Sequence, residues 1–154
     1  MARAQSLAKH IERTMSGPMW HGPALADVLE GVTHEDAAAK PISGAHGIWE
    51  IVLHVAVWAE IARARLKGQR TGDPTPEEDW PAIAANTAEN WRLALERLAA
   101  SHRLLAEDVR GLSDEAFDAN VQGLEYSVSV LLHGVVEHGT YHGGQIMLLR
   151  KALA

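Results

Sequence analysis

The chain has 154 residues, of which 47% are hydrophobic, so it can bury one substantial core, and we predict a single domain spanning residues 1–154. Its 14 basic residues form no cluster and are outnumbered by 20 acidic ones; the resulting formal net charge of −6 argues against nucleic acid as a partner. The lack of cysteine excludes disulfides, thiolate ligands and a cysteine nucleophile, so any metal ion must be bound by histidine, carboxylate or backbone oxygen.

The N-terminal part predicts one interrupted helix. Apolar residues recur at helical spacing at Leu7, Ile11 and Met15, the pattern breaks at residues 16–18, and it resumes at residues 25–32. The segment lacks the residue order of a signal peptide, and no apolar run in the sequence approaches the roughly 20 residues of a membrane span. We therefore expect a cytoplasmic protein with no membrane partner.

The middle of the chain predicts two long helices and the connection between them. After a loop at residues 33–46 with one short turn, a second helix is predicted at residues 46–67 and ends at Gly68. Residues 71–81 contain three prolines and several acidic residues, a composition that predicts a long exposed connection rather than a domain boundary. A third helix is predicted at residues 81–110 from its regular apolar stripe.

The C-terminal part predicts one short turn around Phe117 and a final helix at residues 127–152. With almost no strand alternation, the sequence predicts an all-α protein, a four-helix bundle with long second and third connections. Apolar residues lie on more than one face of the final helix: Val130, Leu132, Val136 and Leu148. Because such a helix must be covered, we expect a symmetric dimer or a thick bundle core.

A histidine pair lies in the final helix, in the stretch VVEHGTYHGGQIMLLRK at residues 135–151. His138 and His142 are four residues apart, so at about 100° per residue they lie about 40° apart on one face, one turn above the other. Leu131 and Leu149 share that face, so the pair points into the bundle. Both imidazoles can reach one ion at the roughly 2.0–2.1 Å that zinc requires. On spacing alone, two structural histidines of the core are an equally good interpretation.

A third ligand is predicted at His54. It lies beside Trp58 on the apolar face of the second helix, where an unpaired imidazole costs free energy. A metal ion shared with His138 and His142 would satisfy all three rings. Gly139 stands where the zinc proteases with an HExxH motif have their glutamate, so the helix lacks that general base and peptide hydrolysis is disfavoured.

Neighbouring ionisable residues are not predicted to bind the ion. Glu137 and His133 point away from the histidine pair by helical geometry, and His102 is predicted at the edge of the third helix's apolar stripe. A closed, structural metal site would add a fourth protein ligand, such as His102 or a carboxylate. A catalytic site would instead keep an open position and an adjoining pocket.

Two stretches carry a family resemblance: IWEIVLHVAVW at residues 48–58 and HGVVEHGTYHGGQI at residues 133–146. Together they resemble the DinB family of damage-inducible, metal-dependent proteins. WHGP at residues 20–23 and AHGIW at residues 45–49 are similar to one branch of that family, and the match follows nearly the whole chain in order. Gly143 departs from the pattern, because many relatives have arginine before the Gly-Gln pair.

The resemblance implies a four-helix bundle of up-down-down-up order, commonly homodimeric, with a divalent ion bound inside, often zinc or nickel. It assigns the family's three metal ligands to His54, His138 and His142. Some relatives transfer low-molecular-weight thiols such as bacillithiol, one branch isomerises maleylpyruvate with mycothiol, and others are regarded as hydrolases. The resemblance therefore supports the metal more strongly than any one reaction.

The leading functional hypothesis is a metal-dependent transferase or hydrolase in which one divalent ion per chain activates a thiol or water against a small-molecule substrate. The sequence assigns no catalytic residue. Candidate substrate-binding residues are Trp20, His21, Trp58, Tyr141 and Gln145, and packing or helix capping explains each of them equally well. The alternative is a non-catalytic bundle in which the ion links two helices, acting as a binding or stress-response protein.

Overall fold

The computed structural model describes residues 2–154, which form eight helices and no strand beyond two isolated bridges. The helices are α1 Ala2–Ser16, α2 Leu25–Leu29, α3 His34–Ala38, α4 Ile48–Leu66, α5 Pro76–Asp79, α6 Ala88–Arg110, α7 Asp114–Asp118 and α8 Val128–Leu153. Over this range no helix has both the length and the apolar composition needed to cross a bilayer. The predicted all-α class is confirmed.

Four of these helices are long, and each packs against two of the others. Both α1 and α4 contact α6 and α8. Buried side chains fill the interior in two clusters, one that includes Trp49, Leu98 and Ile146 and one that includes Ile11 and Leu132. The bounds predicted for the second and final helices agree with α4 and α8 to within two residues.

Two of the predicted helix bounds are wrong. The N-terminal segment is not one interrupted helix: α1 ends at Ser16, and α2 is a separate short helix after a turn in which Gly22 adopts a φ of 129°. The third helix begins at Ala88 rather than at residue 81, because the Thr87 hydroxyl accepts from the backbone N–H of Asn90 and caps α6 there.

Helix α8 is covered on some of its apolar faces only. Leu132 and Val136 are buried in the core, whereas Val130 is 59% exposed and Leu148 is 62% exposed. The core therefore accounts for two of the four residues that the sequence analysis expected to be covered.

Helices α1 and α8 approach each other closely at Gly139. A Cβ built there would lie 2.6 Å from the Thr14 Cγ2, and Thr14 is buried. Gly139→Ala should therefore push the two helices apart and lower the free energy of unfolding by about 1–3 kcal/mol in urea unfolding. Removing the clashing methyl group with Thr14→Ser in the same chain should restore part of that loss.

Gly144→Ala provides the matched control. Gly144 lies in the same helix, and a Cβ there would meet no atom within 4 Å. Alanine is favoured over glycine in a helix, so we expect this variant to gain about 0.5–1 kcal/mol. If both variants changed stability equally, the close approach would not be what requires Gly139.

Candidate metal centre

Three imidazoles converge between α4 and α8. The Nε2 atom of His138 lies 2.9 Å from the Nε2 of His54 and 3.0 Å from the Nε2 of His142. The possible ligand atoms of the three side chains all lie within 4.8 Å of one another. His54 and His142 are each 5% exposed, and His138 is half-buried. The structure thus brings together the three histidines predicted from helical spacing and burial.

The partners of the other ring nitrogens fix the tautomers. His54 Nδ1 lies 2.8 Å from the backbone oxygen of Asp79, and because a carbonyl can only accept, the proton of His54 is on Nδ1. His142 Nδ1 lies 2.6 Å from Gln145 Oε1, while the amide of Gln145 donates to the Tyr141 hydroxyl. Both rings therefore present the lone pair of Nε2 to the centre of the cluster.

This donor set fits a divalent metal ion. With lone pairs on His54 and His142 directed at the Nε2 of His138, at most one proton lies among three nitrogen atoms. Ligand nitrogens at about 2.0–2.1 Å from a tetrahedral ion are about 3.3 Å apart, a few tenths of an ångström wider than the two Nε2 separations above. A cation would relieve the repulsion between the lone pairs, so the three side chains could hold one.

Burial keeps the imidazoles of His138 and His142 neutral at physiological pH. Desolvation, with added repulsion from His142 and His54, lowers the pKa of His138 to about 3. Desolvation also lowers the pKa of His142 to about 4, although the hydrogen bond to Gln145 opposes the shift. Because a metal ion binds only the deprotonated ring, these two histidines are in their ligating form at neutral pH.

The connection at residues 71–81 reaches the site, so its prediction as an exposed connection is wrong for its last part. Short helix α5 ends at Asp79, whose Oδ1 lies 3.1 Å from His54 Nδ1 and accepts from the indole N–H of Trp58 at 2.6 Å. The ring of Trp80 stacks on His54 with centroids 3.9 Å apart and, on its other face, on His46 at 3.5 Å. These contacts orient His54 and shield it from water.

Asp79 and Trp80 were missed by the sequence analysis, although the local sequence contains a signal. The segment Thr75-Pro76-Glu77-Glu78 has the pattern of a capping box with proline at the first helical position. Such a pattern predicts a helix that carries Asp79 and Trp80 at its end. It does not predict which part of the molecule that helix contacts.

Removing the Asp79 carboxylate should weaken metal binding without abolishing it. In Asp79→Ala the backbone oxygen still accepts from His54, so the tautomer is retained while the carboxylate is lost. We expect zinc affinity, measured by competition with a chelator, to fall about 10–100-fold. Glu77→Ala, an exposed change in the same helix, should leave the affinity unchanged; an equal loss there would assign the effect to α5 as a whole.

Two clefts flank the histidine cluster, and His54 lines both. The first cleft has a volume of about 460 Å³ and is named the Trp80 cleft here. The residues that line it include His46, Trp80, Tyr141, His142 and Gln145. The second, of about 350 Å³ and here named the Trp58 cleft, is lined by Trp58, Arg65, Asp79, Tyr126, Leu131, Gly134, Val135, His138 and His54. Both volumes suit small molecules.

The five candidate substrate-binding residues are divided between different places. Trp58 lines the cleft named after it, and Tyr141 and Gln145 line the Trp80 cleft. Trp20 is fully exposed and lines neither cleft. His21 lines a separate groove of about 210 Å³ between α2 and α8. Three of the five therefore lie beside the histidine cluster.

The remaining residues considered from the sequence lie outside the three-histidine group. His102 is 1% exposed, deeper than the predicted edge of the stripe, and its Nδ1 donates to the backbone oxygen of Leu98 at 3.0 Å. Glu137 is exposed and points about 100° away from His138 on α8. His133 is also exposed, and its Nδ1 donates to the backbone oxygen of Ser129. Among residues 2–154, the only group of three or more such side chains close enough to share an ion is His54, His138 and His142.

Comparison with known proteins identifies one family. The family model described as the DinB superfamily matches residues 20–146, which include all three clustered histidines as well as Asp79 and Trp80. Comparison with curated proteins and with solved structures found no match.

Proposed function

The chain belongs to the DinB superfamily, and we propose that it is a metal-dependent enzyme whose single divalent ion, zinc or nickel, is bound by His54, His138 and His142. The observation that carries the proposal is the convergence of three Nε2 atoms, with the tautomers of His54 and His142 directing their lone pairs at the Nε2 of His138. Imidazole suits both metals, and availability in the cell decides between them.

An ion held by three imidazoles with an open position acts as a Lewis acid that activates a thiol or a water molecule at neutral pH. The surrounding residues support this chemistry in three ways. Asp79 and Gln145 orient the ligand rings through Nδ1, the indoles of Trp58 and Trp80 shield the cluster, and the two clefts give small molecules access.

We propose a thiol transferase reaction first, with an electrophilic small-molecule substrate, and hydrolysis second. Access from two clefts favours an open catalytic site over an ion that only links α4 to α8, because a linking ion needs no cleft beside it. It also suits a transfer reaction, in which two reactants must meet.

Cobalt substitution tests this proposal. The cobalt-loaded protein should show the intense visible absorption of a low-symmetry four- or five-coordinate site, and adding 2-mercaptoethanol should produce a thiolate-to-cobalt charge-transfer band. A spectrum that no thiol alters would identify a closed, structural ion. No cobalt binding at all would reject the metal site itself.

The same proposal includes the family's bundle order, up-down-down-up, and a symmetric homodimer formed through α8. The pairing of α1 and α4 with α6 and α8 is compatible with that order. Val130, Tyr141 and Leu148 are all more than half exposed on α8 and offer an apolar surface for a second copy. Tyr141 and Leu148 also line the Trp80 cleft, so the second copy would add to the wall of that cleft. Light scattering at micromolar concentration should give twice the chain mass, and Leu148→Glu should reduce it to the monomer value.

A further inference from the structure

Arg65 is a buried cation in the wall of the Trp58 cleft. It is 4% exposed, its Nη1 donates to the Tyr126 hydroxyl at 2.8 Å, and its Nη2 donates to the backbone oxygen of Gly72 and to Asp73 Oδ1 at 3.0 Å. Its Nε is buried without a hydrogen-bond partner among the described residues. A buried guanidinium with an unpaired N–H is costly, so its place in a cleft calls for an explanation.

The charge of Arg65 is only weakly compensated. Among residues 2–154 its one carboxylate partner is Asp73, whose side chain is 85% exposed, whereas the side chain of Arg65 is 2% exposed. An ion pair with a solvated partner contributes little, and the cost of burying the guanidinium remains. Asp79 also lines the cleft, but its carboxylate lies against Trp58 and His54, at the histidine end.

The Tyr126 hydroxyl can link the buried charge of Arg65 to a ligand in the cleft. Its oxygen accepts from the guanidinium, so the hydroxyl proton is directed away from Arg65 and remains available for donation. Unlike Arg65, Tyr126 is only half-buried. The cleft therefore presents one O–H donor supported from behind by a cation, and a carboxylate that accepts from it would form a charge-assisted hydrogen bond.

The rest of the cleft is apolar. Leu131 and Val135 of α8 line it, and the Trp58 ring lies below the guanidinium carbon of Arg65 at 5.7 Å. A volume of about 350 Å³ suits a flat or short apolar body, and the far end of the cleft is formed by His138 and His54.

We propose that the Trp58 cleft binds a small organic acid, with its carboxylate on the Tyr126 hydroxyl, Arg65 as the buried countercharge, and its apolar body against Trp58. The carboxylate subsite stands without the metal, whereas the reactive end of the acid, directed at the three histidines, rests on the proposed function. A purely structural Arg65, holding Gly72, Asp73 and Tyr126 in place, explains the three contacts of its Nη atoms but predicts no preference for an anion.

Benzoate and benzyl alcohol form a matched pair of probes, because they share the ring and differ in charge. Each is titrated into the ¹⁵N-labelled, zinc-loaded protein, and the indole N–H resonance of Trp58, assigned with Trp58→Phe, reports binding in this cleft. The titration is repeated after the metal is removed. Tyr126→Phe removes only the hydroxyl, and Tyr141→Phe makes the same change in the Trp80 cleft.

The expected result is that benzoate binds more tightly than benzyl alcohol with and without metal. Tyr126→Phe should weaken benzoate binding about tenfold, because a hydrogen bond to a charged group is lost, while Tyr141→Phe leaves it unchanged. Asp73→Asn, an exposed change that removes the competing carboxylate, should strengthen it about threefold. Because Asp73 is on the surface, this variant tests the subsite even if Tyr126→Phe fails to fold.

Equal affinity for benzoate and benzyl alcohol would overturn the subsite. Benzoate binding that neither Tyr126→Phe nor Asp73→Asn alters would also overturn it. If benzoate binding required zinc and were unchanged in Tyr126→Phe, the carboxylate would be bound by the ion. That result would overturn this inference and leave the proposed function standing. If benzoate binding depended on Tyr126 but the protein took up no metal, the carboxylate subsite would stand and the proposed function would be overturned.

Discussion

His54→Ala, His138→Ala and His142→Ala should each reduce the zinc content of the purified, reloaded protein from about one ion per chain to below about 0.1. Each variant leaves two imidazoles, and two nitrogen ligands do not hold zinc against a chelating buffer. The Nε2 of His138 is within 3.0 Å of both other Nε2 atoms, so its loss should have the largest effect. Elemental analysis after gel filtration gives the result directly.

His133→Ala is the matched control for this series. His133 lies on the same helix but is exposed, with its Nδ1 bonded to the backbone of Ser129, so its removal should leave the metal content at the wild-type value. Thermal unfolding gives a second readout, because an ion that binds only the folded state raises the midpoint. Zinc should stabilise the wild type and His133→Ala, but none of the three ligand variants. Metal retained by all three would refute the site.

The three-histidine cluster could be predicted because it depends on local periodicity. In α8, residues four apart necessarily share a face, and the apolar residues around His138 and His142 identify that face as the buried one. His54 followed from the cost of an imidazole among apolar neighbours on α4. None of these steps requires knowledge of how the chain folds back on itself.

The residues that orient and surround the ligands depend on tertiary contacts instead. Asp79 reaches His54 from 25 positions further along the chain, through a polar, proline-rich segment whose composition is that of a solvated loop. Arg65 and Tyr126 are 61 positions apart, and nothing local pairs them. Trp20 lies in a motif-like stretch, yet its ring is fully exposed and lines neither cleft. Composition reports average burial, whereas the site depends on individual long-range contacts.

Acidification should destabilise the metal-free protein well above the pH at which carboxylates titrate. In the unfolded chain an ordinary histidine has a pKa of about 6.5, whereas burial lowers the pKa of His138 to about 3 and that of His142 to about 4 in the folded protein. Below about pH 6.5 the unfolded chain therefore binds more protons than the folded one. Stability is fully present above that pH and is lost as the pH falls towards 4.

Between pH 6.5 and 4.5 each imidazole that stays neutral in the folded protein lowers the free energy of unfolding by up to about 2 kcal/mol. For His138 and His142 together we expect a loss of about 3 kcal/mol, because water in the clefts lowers the cost of charging them. The lowered pKa values of Glu50 and Asp108 also make stability fall with pH, but that loss begins only as the pH reaches the ordinary carboxylate range near 4, so the window above about pH 4.5 reports mainly on histidines. His102, whose pKa burial also lowers, adds a contribution of its own in this window.

Urea unfolding at a series of pH values, with chelator present, measures the slope of the free energy of unfolding against pH. His138→Ala should flatten it by about 1 kcal/mol per pH unit, close to the value for one proton, and His133→Ala should leave it unchanged. An unaltered slope in His138→Ala would mean that the His138 ring of the wild type is already solvated and protonated in the folded state.

The same low pKa values of His138 and His142 imply that protons compete poorly with a metal ion for these rings above about pH 5. A zinc-loaded protein should therefore keep its ion at pH values where the metal-free protein is already losing stability. Because both forms unfold to the same protonated chain, the stability that zinc adds should stay constant as the pH falls from about 6.5 to 5.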